Sequence, residues 1–172
     1  MTLKILKPLV LAIAALGAIS GQVFAQDFQS QKVLPLELST QAAMAAIKKC
    51  HDDGFKVSVA IVDQSGLVKV HLKADGAGPH TLDSSRRKAY TANSLRDSTH
   101  KYAVLIAQKP ELQSLSRLND NILILGGGFP IKIGGEVIGG IGVGGAPGIE
   151  FDEVCASAAL KVLKADDTYE KK

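Results

Sequence analysis

Eleven of the chain's 17 glycines fall between Gly126 and Gly148, in a stretch that otherwise reads as strand. Glycine weakens a strand interior by roughly 0.5–1 kcal/mol relative to alanine, so a run this dense persists only where something needs the missing side chains. Ile122 to Leu125, Pro130 to Ile133 and Val137 to Val143 are separated by Gly pairs and triplets. Connections that short join antiparallel neighbours, because parallel strands require a crossover of a dozen or more residues. The region is predicted as three strands of a mainly antiparallel sheet.

Gly140-Ile141-Gly142-Val143-Gly144-Gly145 also satisfies the G-x-G-x-x-G pattern between a strand and a helix. In a dinucleotide-binding unit that helix returns to a second parallel strand bearing an acidic residue, and no such strand follows the helix read from Asp152 to Lys164. The glycines are read instead as positions where a backbone or a ligand comes close. No nucleotide cofactor is expected.

Upstream, Ser39 is positioned as an N-cap, and Ala42, Ala43, Ala46, Ile47 and Cys50 recur at helical spacing up to Gly54. The run from Lys56 to Val62, KVSVAIV, is β-branched and apolar at nearly every position, as in a strand covered on both faces. Asp63-Gln64-Ser65-Gly66 turns it into a second strand, Leu67 to Lys73, making a hairpin. Thr81 is placed to cap a helix through Arg96, and Ser98 or Thr99 a short helix ending before Pro110. The order helix, two strands, two helices, three strands, helix predicts a single mixed α/β (α+β) domain, with about five strands flanked by helices.

Lys4 and Lys7 precede an apolar run, Leu9 to Ile19, that ends near Val23-Phe24-Ala25. Residues 1–25 are read as a signal peptide, 26–37 as an exposed lead-in and 38–172 as the domain. Cleavage after Ala25 would take Lys4 and Lys7 with it, leaving 147 residues with 18 basic against 17 acidic groups. That balance argues against electrostatic binding to nucleic acid or anionic lipid. The apolar run is shorter than the roughly 18–20 residues of a spanning helix, so no stable membrane insertion is expected after cleavage, and the location is periplasmic or secreted.

Cys50 and Cys155 each sit on an apolar helical stripe. They either form a disulfide, which an oxidising compartment permits, or serve as small buried hydrophobes. No zinc spacing occurs, and no G-x-S-x-G elbow marks a hydrolase. His51, at a helix end, and His71, on a strand face with lysines, read as solvated. His80 lies in a Gly/Pro loop before a helix and His100 near a helix start, where a backbone can present imidazole to a ligand or metal. Arg86-Arg87-Lys88 is either a solvated helix face or a partner for carboxylates. Asp75, His80 and Arg87 could also serve a small hydroxy- or keto-acid binder or accessory enzyme. A third reading makes the glycine strands an oligomer interface.

Several blocks, in order, resemble the GlcG/HbpS-like family of small haem-binding proteins, which includes the C-terminal domain of PduO-type proteins. They are Val59-Ala60-Ile61-Val62-Asp63 with Gly66, Asp75-Gly76-Ala77, Arg87-Lys88-Ala89-Tyr90-Thr91-Ala92, Gly127-Gly128-Phe129-Pro130-Ile131, and Val137 to Gly145 followed by Asp152 and Cys155-Ala156. Where many relatives carry R-x-D this chain has Lys73-Ala74-Asp75, and Gly144 stands where the family's G-V-S-G has serine. The resemblance implies a five-stranded antiparallel sheet with helices, homo-oligomers, and export with haem or iron binding in some members. It also implies a haem-contacting His or Thr, making His80, Thr99 and His100 candidates, His80 and His100 as metal ligands, with Arg86, Arg87 or Lys88 meeting propionates. The expected role is haem sequestration, delivery or sensing without turnover.

Overall fold

A computed structural model describes residues 30–166, which from Gln31 onward form one unit; the signal-peptide reading of residues 1–25 lies outside the described residues. The unbroken apolar run folds as β1 (Ser58–Asp63), buried at every position but its last. Asp63 Oδ1 accepts the backbone N–H groups of Ser65 and Leu67, fixing the turn into β2 (Val68–Lys73). The glycine-rich half supplies β3 (Gly128–Ile133) and β4 (Glu136–Gly144). The sheet order is β2-β1-β4-β3 and every pairing is antiparallel. The helices are α1 (Leu36–Asp52), α2 (His80–Leu95), α3 (Thr99–Gln108) and α4 (Ile149–Leu163).

Alternation along the strands sends their two sides into different environments. Val59, Ile61, Phe129, Ile131, Ile141 and Val143 join the small stripes of α1 (Ala42, Ala43, Ala46) and α4 (Ala156, Ala159) in the main core. On the opposite face, Ser58, Ala60 and Val62 pair across from Gly144, Gly142 and Gly140. There α2 lies almost on the strand backbone: a Cβ at Gly142 would overlap the Ser85 carbonyl oxygen, one at Gly140 the Ala89 carbonyl oxygen, and one at Gly144 the Ser84 hydroxyl. The glycine cluster is thus a trough for a helix, as its close-approach reading expects.

Four expectations change. The segment Ile122 to Leu125 is not a strand, so the sheet has four strands and not five; its polar backbone is answered by α2 side chains, with Arg87 Nη2 donating to Ile122 O (2.7 Å) and Leu123 N donating to Thr91 Oγ1 (2.8 Å). α1 begins at Leu36 behind Pro35, and Ser39 is buried inside it, its hydroxyl donating to Pro35 O. Leu34, in the predicted exposed lead-in, is a core residue. α2 begins at His80, with Thr81 turned inward to donate to Gly78 O and meet Ser58 Oγ at 2.7 Å. Ser98 does cap α3, accepting from Lys101 N, and a 3₁₀ helix, Pro110–Arg117, follows. The cysteines are joined: Cys50 and Cys155 form a disulfide between α1 and α4, with Cα atoms 5.5 Å apart.

Candidate functional site

The basic run on α2 splits three ways. Arg86 donates to Asn121 Oδ1 and to Asp83 Oδ1, at 2.7 and 2.9 Å. Arg87 also faces Asp83 (3.5 Å) and holds the Ile122 carbonyl. The two guanidinium groups keep the Asp83 carboxyl below its usual range, Arg86 foremost. Lys88 points the other way, into the protein, where Nζ donates to Asp152 Oδ2 (2.8 Å) and Val143 O (2.9 Å). Burial pushes the Asp152 carboxyl up, against the attraction of Lys88. Lys88, 2% exposed, is a structural cation joining α2 to α4.

Thr99 and His100 lie together at the start of α3. The buried Thr99 hydroxyl accepts the Gly128 N–H at 3.0 Å. His100 Nδ1 is a buried atom without a hydrogen-bond partner among the described residues, 3.8 Å from Glu153 Oε1. His80 is exposed at the opposite end of α2. Among the described residues, no cluster of three His, Cys, Asp or Glu is placed to hold a metal ion. Asp83 lies between His80 and Arg87 on α2, and the Arg87 guanidinium is engaged by the Ile122 carbonyl at 2.7 Å and by Asp83 at 3.5 Å.

His71 is not solvated as its strand pattern implies. Its Nε2 is 3.0 Å from Leu82 O and 3.2 Å from Ser85 Oγ, while Ser85 itself donates to Leu82 O. Since Leu82 O only accepts, Nε2 carries the proton, and the pair is not a serine activated by a base. Burial, with Arg86 nearby, holds the imidazole below its ordinary value despite the Leu82 carbonyl.

A large open groove of about 650 Å³ lies elsewhere, between the C-terminal half of α1 and β2 with its following loop. Met44, Ile47, Phe55 and Leu72 give it an apolar lining; Lys48, Lys56 and Lys73 give it three cations, with Asp75 at the loop. His51 reaches into this setting with its side chain 82% exposed, Nδ1 3.9 Å from Asp52 Oδ1. A volume of that order suits a medium-sized ligand, and the groove combines apolar area with a few polar groups. Its residues carry a legible signal: Met44, Ile47, Lys48 and His51 recur at i, i+3, i+4 and i+7, a stripe on α1 that shares Ile47 with the one that meets the core.

A family model described as "Haem degrading protein HbpS-like" matches residues 34–161. An uncharacterized 15.0 kDa protein from the dhaT-dhaS intergenic region of Citrobacter freundii is 33% identical over 135 residues, covering 77% of this chain and 94% of the relative. The crystal structure of HbpS superposes with a TM-score of 0.74 at 41% identity, over 80% of this chain and 94% of that one. A structure described as a PduOC:heme complex superposes at 0.73 with 25% identity, over 81% of this chain and 100% of that one.

Proposed function

Because the chain belongs to the HbpS-like family, we propose that it is a haem-binding protein, periplasmic or secreted and homo-oligomeric, that sequesters, delivers or senses haem without turnover of its own. The α1–β2 groove is the observation that carries this reading. Haem combines a flat apolar macrocycle, two carboxylates and an iron that accepts imidazole nitrogen, and the groove offers an apolar lining, three ammonium groups and an accessible histidine. Met44, Ile47, Phe55 and Leu72 would cover the ring face, Lys48, Lys56 and Lys73 would meet the carboxylates, and His51 would ligate the iron. When bound, the iron supplies redox and axial-ligand chemistry. Lys48 already pairs with Asp52 at 2.6 Å, but that pair is 75% and 51% exposed, and exposed pairs are weak enough to be exchanged for a propionate. The haem-bound structural relative supports the ligand; the leader pattern and the disulfide support an oxidising compartment.

Titrating the purified protein with hemin tests the reading. The expected result is a saturable Soret shift that His51→Ala weakens by about tenfold or more, while His80→Ala and His100→Ala leave it in place. No saturable shift would remove the function; a shift lost in His80→Ala but kept in His51→Ala would remove the groove as the site.

A further inference from the structure

The wall of the groove is fastened to the rest of the protein in an unusual way. His51 directly follows Cys50, whose disulfide to Cys155 ties the last turn of α1 to α4. The Cys50 carbonyl accepts the Phe55 N–H at 2.8 Å, closing the end of α1 and delivering Phe55 to the groove. The Phe55 ring then meets Phe151 of α4, with centroids 4.9 Å apart. Phe151 and Cys155 are four residues apart on one helix and therefore on one face. So α4 holds the last turn of α1 through Cys155 and the loop just after it through Phe151, and the candidate ligand His51 lies in sequence between the two held residues.

We propose that this double grip holds the groove in its binding shape, so that haem affinity depends on the redox state of Cys50–Cys155; the inference rests on the groove reading above. A dithiol reductant supplies two electrons and two protons, the S–S bond breaks, each cysteine leaves as a thiol, and the reductant becomes a disulfide. Both cysteines are fully buried, so exchange waits for α1 and α4 to part locally. Once the bond is open, α1 and α4 still pack through Ala42, Ala43, Ala46, Ala156 and Ala159, but the last turn of α1 loses its covalent tie, and His51 and Phe55 lose part of their fixed placement. In a reducing setting the protein releases its ligand; in an oxidising one it retains it.

Hemin titrations of the oxidised chain, the dithiothreitol-reduced chain and Cys50→Ala/Cys155→Ala test the proposal. Reduction and the double substitution are expected to weaken hemin binding by about tenfold or more, the scale on which outer partners of a metal ligand act. Ile131→Ala, in β3 and away from the groove, lowers thermal stability as well but is expected to leave the affinity unchanged, which separates positioning from general softening. Phe151→Ala, with the disulfide intact, is expected to weaken binding too, and serves if the cysteine variant does not fold. Equal affinity in oxidised and reduced folded protein would overturn the inference while leaving the groove reading standing. Absence of hemin binding in the oxidised wild type would overturn both.

Discussion

At the scale of single residues, the protein's sensitivity is set by what a side-chain atom would strike. Gly142 and Gly135 are both glycines of the β3–β4 region, yet a Cβ at Gly142 would overlap the Ser85 carbonyl, whereas one at Gly135 meets nothing within 4 Å at a φ of +79°. Gly142→Ala is expected to cost about 3 kcal/mol or more, at the upper end of overpacking effects because backbone on both sides must move. Gly135→Ala carries only the left-handed backbone cost of about 1–2 kcal/mol. Urea unfolding of the two variants measures the difference, and equal losses would refute the trough. His71 gives a pH prediction at the same scale. Its folded value is depressed, so between that value and its ordinary 6.5 the unfolded chain binds more protons and stability falls as the solution is acidified. The thermal midpoint of wild type should therefore drop more than that of His71→Gln between about pH 7.5 and about pH 5; parallel curves would show that the half-buried imidazole contributes nothing.

Whole elements depend on where their backbone groups find partners, and this decides which of them could be read in advance. β1 was legible because its apolar run is continuous and its strand is covered on both faces; α4 was legible as a helix, but the face it turns to the core carries Cys155, Ala156, Ala159, Leu160 and Leu163, while Val154, Ala158 and Val162, which the spacing also put on the apolar side, are only half-buried. Ile122 to Leu125 carries a strand-like composition but bonds to α2 side chains, a long-range arrangement that local pattern does not encode. Thr91→Val tests that arrangement: the Leu123 amide loses its acceptor, at a cost of about 1 kcal/mol, and its hydrogen exchange should accelerate while β3 amides stay protected. Unchanged protection at Leu123 would mean that the segment is held by something other than Thr91. The candidate site divides in the same way. Loops and helix starts pointed to His80, Thr99 and His100, whereas the groove lies along α1, where a stripe adjoining the core stripe marks it. Only the partner strand β2, brought alongside by the hairpin and by α1 packing, turns that stripe into a groove.

Over the whole molecule, three layers meet: α1 and α4, the sheet, and α2. The sheet's glycine face lets α2 sit close, and the larger apolar residues are left for the α1/α4 side. A buried ion pair and a disulfide tie distant parts of the chain: the Lys88–Asp152 pair joins α2 to α4, and the disulfide joins α1 to α4 across a separation of 105 residues. Their contributions differ in kind. A buried ion pair offsets much of its own attraction by desolvation, so removing both partners together is far milder than removing one. A disulfide acts chiefly by limiting the unfolded chain, and a loop of this length corresponds to about 4–5 kcal/mol in the chain-entropy model. Each kilocalorie shifts the midpoint of a domain of this size by about 2–4 °C or somewhat more. Cys50→Ala/Cys155→Ala should therefore lower Tm by roughly 10 °C or more with the secondary-structure signal below the transition unchanged, as followed by far-ultraviolet circular dichroism. A fall of only a degree or two would mean that the α1–α4 contact already restricts the unfolded chain, and that the bond's role is confined to holding the end of α1 at the groove.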